Sequence, residues 1–201
     1  MHLHDRFAEF LSASEIIEAT PALLNDQRRR FVSSPDIVLQ PNSVESVQKI
    51  MRFCFENRIR VTPQGGNTGL CGATVTTEGV LLNLSKLNRI RDINLADNSM
   101  TVEAGVILQN AQKAAAEAGR LFPLSLASEG SCQIGGNIAC NAGGLNVLRY
   151  GSMRDLVLGL EVVLPNGELV SHLQPLHKNT TGYDLRHLFI GSEGTLGIIT
   201  A

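Results

Sequence analysis

Between Gly130 and Gly151 the chain reads GSCQIGGNIACNAGGLNVLRYG, and no other stretch restricts the possible folds as strongly. Its glycines and asparagines are interleaved with small or aliphatic residues (Ile134, Ile138, Ala139, Ala142), where a flexible linker would carry serines and charges. Backbone of this kind packs against something and turns its N–H groups toward it. After Glu129 there is no charged side chain until Arg149. An anion bound here would be held by peptide dipoles rather than lysines, the arrangement expected for a buried diphosphate.

A second stretch of the same character lies upstream, PQGGNTGLCG from Pro63 to Gly72. Both contain Gly-Gly-Asn, at Gly65-Gly66-Asn67 and at Gly135-Gly136-Asn137. No Lys-Ser or Lys-Thr follows the glycines, which argues against a Walker-type nucleotide loop. Neither is a GxGxxG opening the helix of a first βαβ unit, which argues against a Rossmann site. One such loop alone reads equally well as a tight turn in a glycine-rich β protein. Two charge-poor loops with the same core tripeptide point to a shared ligand.

With 201 residues, 43% hydrophobic and 18% charged, the chain can bury a substantial core. A net charge of −2, basic residues clustered only at Arg28-Arg29-Arg30, no Trp and two Tyr make a nucleic-acid partner a poor expectation. Cys54, Cys71, Cys132 and Cys140 lack CxxC spacing and a partnering pair of histidines. They are expected to be free thiols in a reducing compartment, with no metal site and the cytoplasm as the default location. No apolar run reaches membrane-spanning length, and the first twenty residues lack a signal-peptide core.

Taken in order, residues 1–32 read as an N-terminal helical arm, with Phe7, Phe10, Leu11, Ile16 and Ile17 at roughly helical spacing. Residues 33–201 form the main domain. Asp36–Gln40 is a buried strand, and Asn42 with Glu45 makes a capping box for a helix over Val44 to Phe55. Ile59–Thr62 is a second strand, parallel to the first through a right-handed crossover, and the first glycine stretch begins at its carboxyl end, a usual place for a ligand. Val80–Leu84 is a further strand, and Ile90–Asn94 with Ser99–Glu103 an antiparallel pair. Ile107–Ala118 is an alanine-rich helix closed by Gly119. Leu156–Leu164 and Glu168–Leu173 form a hairpin around Asn166-Gly167. A third glycine cluster, GSEGTLG, leads into Ile198-Ile199-Thr200.

PQGGNTGLCG, GSCQIGGNIACNAGGLNVLRYGS and TGYDLRHLFIGSEGTLGIIT, in this order and spacing, resemble the flavin-binding domain of the FAD-linked oxidases, the family of vanillyl-alcohol oxidase and p-cresol methylhydroxylase. Within it the resemblance is greatest to the D-2-hydroxy-acid dehydrogenases, which act on lactate, glycolate or 2-hydroxyglutarate, and it covers about Pro35 to Ala201. It implies an α+β fold of two subdomains around an extended FAD. One is a small α/β lobe from about Pro35 to Val80, the other a larger, mainly antiparallel sheet with helices. Carried over position by position, Pro63, Gln64, Gly65, Gly66, Asn67, Thr68, Gly69 and Leu70 contact the diphosphate and ribityl region. Gly130, Ser131, Ile134, Gly135, Asn137, Asn141, Gly143 and Gly144 complete the cradle, with Tyr150 and Gly151 beside it. The backbone of Ile198 is assigned to the adenine side, and Glu193 stands behind the site.

The asparagines read equally well as turn-capping residues. The first glycine stretch has no histidine, so FAD is expected to be non-covalent. No residue reads as catalytic. The resemblance implies that the substrate arginine and the metal cluster of these dehydrogenases belong to a C-terminal cap domain beyond residue 201. A small 2-hydroxy acid is then a partner only together with that domain, and self-association is expected of the flavin domain alone. The alternative is a non-catalytic flavin- or nucleotide-binding module. Valine at Gly66 or Gly135 is expected to abolish cofactor binding more than it harms folding.

Overall fold

The computed structural model describes residues 2–201. A four-stranded sheet holds the first lobe: β1 (Ile16–Ile17), β2 (Ile37–Leu39), β4 (Val80–Asn83) and β3 (Val61–Gln64), side by side in that order. β2 and β3 both run parallel to β4, which lies between them, while β1 is antiparallel to β2. β4 is buried along its whole length, which is why Val80-Leu81-Leu82 read as a continuous apolar run and not as an alternating one. It extends the first lobe past Val80, the boundary expected from the sequence.

The crossover from β2 to β3 is α3 (Val44–Glu56), which buries Val47, Ile50, Met51 and Cys54 at helical spacing. Burial pushes the Cys54 thiol up to about 12. The cap of α3 is Ser43, whose hydroxyl accepts the Ser46 N–H at 3.1 Å. The box expected from Asn42 and Glu45 is therefore displaced by one residue. The Asn42 N–H instead donates to Glu15 at 3.2 Å, and Glu15, although buried, also accepts from the N–H and hydroxyl of Ser12.

Among the described residues, 2–32 do not form the helical arm expected from the sequence. Only α1 (Leu3–Ala8), a short 3-10 turn and α2 (Pro21–Leu24) are helical, and Ile16-Ile17 pair with β2 as an edge strand. Nor does the segment stand apart. Phe7 is fully buried, with ring centroids 4.9 Å from Phe53 and 5.7 Å from Phe10. Packing Phe7 and Phe10 on Phe53 of α3 stabilises the segment by more than one extra helical turn would gain in propensity.

The second lobe contains the hairpin β5 (Ile90–Asn94) and β6 (Ser99–Val102), then α4 (Leu108–Glu117) ended by Gly119 at φ +70°. After α5 (Ile134–Ala139), α6 (Val147–Tyr150) and α7 (Met153–Leu156) comes an antiparallel sheet. Its order is β8 (Leu169–His172), β7 (Leu160–Val163), β9 (Ile198–Ile199), with α8 (Arg186–Phe189) before the last strand. The β7–β8 hairpin turns at Asn166-Gly167 as expected, and the carbonyl of Gly167 accepts Gln48 Nε2 of α3 at 3.1 Å. Val163 and Ile198 leave the second lobe's own core and enter that of the first, together with Leu39, Val47 and Leu82.

An ionic relay ties the second lobe's strands together. Glu103, 1% exposed, accepts from Arg89 Nη2 at 2.8 Å and Arg91 Nε at 3.2 Å. Arg91 continues to Glu161 at 2.9 Å, and Glu161 accepts the Thr200 hydroxyl at 2.9 Å. The architecture is α+β with two lobes. No helix among the described residues is long and apolar enough to cross a membrane.

Candidate functional site

The three glycine clusters meet at one seam between the lobes. The first leaves the end of β3, where Pro63 and Gln64 are the last strand residues. Buried Gln64 donates to the Leu23 carbonyl at 2.9 Å and accepts from Asn83 at 3.2 Å, fixing the start of the loop. A Cβ at Gly66 would lie 2.0 Å from the Ser131 carbonyl oxygen, and one at Gly65 would lie 3.3 Å from Gln133 Oε1. The first cluster therefore rests directly on the second. In the third, a Cβ at Gly194 would meet Pro63 at 2.5 Å, and the Gly191 and Glu193 N–H groups donate to the Ile138 and Ala139 carbonyls of α5.

The second cluster is not loop throughout. Residues 134–139 form a helical turn and a half despite two glycines, because tertiary anchors outweigh propensity. The Ile134 N–H donates to Val106 O at 2.9 Å and the Gly135 N–H to Ala104 O at 2.8 Å. A Cβ at Gly135 would come within 2.6 Å of the Ala104 methyl, and one at Gly144 within 1.8 Å of the Ser125 carbonyl oxygen. Gly66, Gly135 and Gly144 are thus required by chain-to-chain packing. Valine at Gly66 or Gly135, expected from the sequence to harm cofactor binding more than folding, would therefore press on backbone or methyl atoms of the chain itself.

Two of the asparagines serve the turns. Asn67, at φ +53°, donates to the Ala22 and Asn25 carbonyls at 3.1 and 2.7 Å and accepts the Thr74 hydroxyl. Asn141, at φ +47°, accepts the Arg154 N–H at 2.9 Å. Asn137 differs. It is 5% exposed, and its Nδ2 has no partner; neither has Oε1 of Gln133, 7% exposed and one turn earlier. An unpartnered buried amide costs about 1–3 kcal/mol, so both atoms are open to a hydrogen bond from outside the chain. Gln133 was missed in the sequence, where its signal was a lone amide between Cys132 and Ile134.

Among the described residues, the amide N–H groups of Gly65, Gly66, Asn67, Thr68, Gly69 and Leu70 donate to no protein acceptor, and neither does that of Gly136. A Cβ at Gly69 or Gly136 would meet nothing within 4 Å, so these two glycines face open space. Leu70, Gly130, Ser131 and Gly143 are exposed, Thr68 half-buried, and Ile134 belongs to the second lobe's core. Tyr150, 38% exposed, lies beneath the Arg149 guanidinium at 5.4 Å, and Gly151 turns the chain at φ +79°. Ile198 is buried in β9 opposite Val163. A separate cleft, lined by Met100, Phe122, Ile138, Met153 and Ala201, contains none of the glycines of the three clusters.

The profile of a family described as FAD binding domain matches residues 35–172. A D-2-hydroxyglutarate–pyruvate transhydrogenase of Saccharomyces cerevisiae is 42% identical over 200 residues, covering 96% of this chain and 40% of that protein. A mitochondrial D-2-hydroxyglutarate dehydrogenase of Danio rerio is 48% identical over 177 residues, covering 88% and 33%. The chain thus spans well under half the length of these relatives. Among solved structures, an alkyldihydroxyacetonephosphate synthase superposes with a TM-score of 0.84 at 20% identity, over 98% of this chain and 41% of that one. At that identity the likeness is one of fold.

Proposed function

The chain belongs to the FAD-binding-domain family, and from that premise we propose that it is the flavin-holding part of an oxidoreductase that oxidises a D-2-hydroxy acid. The substrate class is supported by the names of the two relatives above. The observation that carries the cofactor site is the row of unpartnered amides from Gly65 to Leu70, together with the orphaned Asn137 Nδ2 and Gln133 Oε1, the latter 3.3 Å from where a Cβ at Gly65 would lie. FAD fits this set. Its phosphate oxygens accept from amides in a site without lysines, and its ribose hydroxyls can donate to a buried carbonyl.

When bound, FAD supplies the hydride acceptor of the reaction. The residues of this chain bind and orient it. The amides of Gly65–Leu70 and Gly136 would hold the diphosphate, Asn137 Nδ2 would donate to it, and the open faces at Gly69 and Gly136 would admit it. Free cysteines at all four positions favour a reducing compartment, the cytoplasm or, as in the Danio rerio relative's name, a mitochondrion.

The chain is expected to take up one equivalent of FAD and release all of it when precipitated with acid. Colour in the pellet would refute non-covalent attachment, and no uptake at any FAD concentration would refute the site. Asn137→Leu gives a sharper reading. It should weaken FAD binding about tenfold, the equivalent of one hydrogen bond to a charged group, while leaving the apo-chain as stable or more so. Lower apo-stability with unchanged affinity would make Asn137 a structural residue.

The FAD-loaded chain alone is expected not to be bleached by D-lactate, glycolate or D-2-hydroxyglutarate under anaerobic conditions. Hydride transfer needs the substrate carboxylate clamped by a cation, and the nearby arginines are engaged. Arg154 donates to the His187 and Ile190 carbonyls at 3.0 and 2.5 Å, and Arg149 covers Tyr150. Substrate-specific bleaching at an enzymatic rate would place the catalytic residues within these positions.

A further inference from the structure

The cleft beside Met100, Ile138, Met153 and Ala201 contains about 1180 Å³ of empty space, its open mouth included. Packed interiors leave few voids larger than a water molecule, so a space of this size lies open to an occupant. The walls identify its kind. One wall is made by all four residues of β6, and the other by residues 156–159, which lead into β7. Successive side chains of a strand point to opposite faces. Four consecutive residues therefore border the same cleft only where it runs along the edge of the strand.

Both edges carry unused backbone. Among the described residues β6 pairs with β5 alone, and no backbone group from Ser99 to Val102 bonds to backbone outside that ladder. An edge strand of this kind leaves alternate N–H and C=O groups free. β7 is registered with β9 only at Val162 and Val163, so Leu160 has β8 on one side and no strand on the other. The Leu158 and Gly159 N–H groups donate to no backbone acceptor. Thr200 shows how the gap is spanned. Its N–H donates to the Glu161 carbonyl of β7 at 2.9 Å, while its own carbonyl accepts the N–H of Ala104, just past β6, at 2.9 Å. Backbone bonded on both edges is that of a central strand. Ala201, whose carbonyl accepts the Glu161 N–H at 3.0 Å, already lines the cleft.

We propose that the cleft is a slot for one further β-strand, continuous with β9, that joins the β5–β6 hairpin and the β8–β7–β9 sheet into a single sheet. From Thr200 onward the walls run back from Ala104 to Ser99 and from Glu161 to Val157, so the added strand is antiparallel to both. Its sequence alternates in character. One face meets Ile134, Ile138 and Met153, which are buried, and the other faces the mouth with exposed Asp92, Asn98 and Gln174. A small apolar ligand would leave both rows of backbone groups unpaired, whereas a strand pairs them. Ile134 and Ile138 belong to α5, so the strand also packs against the helix that bears Gly136 and Asn137.

The test appends five residues after Ala201 in three versions. Val-Thr-Val-Thr-Val can pair along both walls, Pro-Thr-Pro-Thr-Pro lacks the N–H groups to do so, and Gly-Ser-Gly-Ser-Gly is the flexible control. Neither flavin nor turnover enters the readout, so the outcome is independent of the proposed function. The first version should melt roughly 4–8 °C above the other two. It should also slow hydrogen exchange of β6 amides and of Leu158 and Gly159 by about tenfold or more. Equal melting temperatures and equal exchange for the three tails would overturn the slot. So would protection confined to β8, at the other edge of the sheet, or protection that rises with chain concentration, which would put a second copy in the cleft.

Discussion

Alanine in place of Gly66 is expected to lower the stability of this chain by about 3 kcal/mol, or roughly 6–12 °C in melting temperature for a domain of this size. The added Cβ would lie 2.0 Å from the Ser131 carbonyl oxygen and 3.0 Å from its carbon, and both are backbone atoms. No rotamer change relieves that contact, so the first glycine cluster must lift off the second. Flavin binding should fail with it. Gly69→Ala is the companion measurement. Its Cβ meets nothing within 4 Å, so the apo-chain should change by no more than about 0.5 kcal/mol, while flavin uptake weakens if that face receives the cofactor. An unchanged melting temperature for Gly66→Ala would mean that the two clusters do not rest on each other.

Removing the carboxylate of Glu103 is expected to be as damaging by a different route. Burial alone would push its pKa up. The side-chain and backbone hydrogen bonds from Arg89, with that from Arg91, outweigh burial and hold the carboxyl below its usual range. Glu103→Ala leaves Arg91, whose side chain is only 25% exposed, with Glu161 alone, and it strands the Arg89 N–H that now donates at 2.9 Å. Breaking a buried pair in this way costs about 3 kcal/mol. Arg89 itself, 73% exposed, rehydrates and adds little.

The pH dependence has a definite sign. A carboxyl whose folded pKa is depressed contributes stability that is present above the unfolded value and lost as pH falls through the folded one. Urea melts of the unaltered chain should therefore lose this contribution only as pH falls below the ordinary carboxylate pKa, and Glu103→Gln should flatten that limb. Equal slopes in both proteins would remove Glu103 from the acid response.

Local chemistry made much of this fold readable in the residues. Asn166-Gly167 can do little but turn a hairpin, Gly119 ends α4 in the left-handed region, and the apolar run at Val80 is a central parallel strand. What stayed hidden depends on partners far away in the chain. Ile16-Ile17 have helical spacing relative to Phe10, yet Leu39 and Val38 recruit them as an edge strand. The glycines at 135 and 136 argue against helix until Ala104 and Val106 offer carbonyls to the first turn. The same holds for the site. The glycine clusters announced an anion cradle, but not which glycines face a ligand and which face the chain itself. Gly66, Gly135 and Gly144 look the same in sequence as Gly69 and Gly136, and only the atoms across the seam distinguish them.

The meeting of three clusters at one seam also orders events during synthesis. β2, α3, β3 and β4 are close neighbours in the chain and can pair soon after they leave the ribosome. The seam cannot. Its floor comes from residues 134–139, and its third wall, Gly191 to Gly194, emerges only near the end of this chain. Even the first lobe's core waits for Ile198 to fill it. Cofactor capture therefore waits until Gly194 has been made, and before that point a nascent chain carries its first glycine cluster without its third wall.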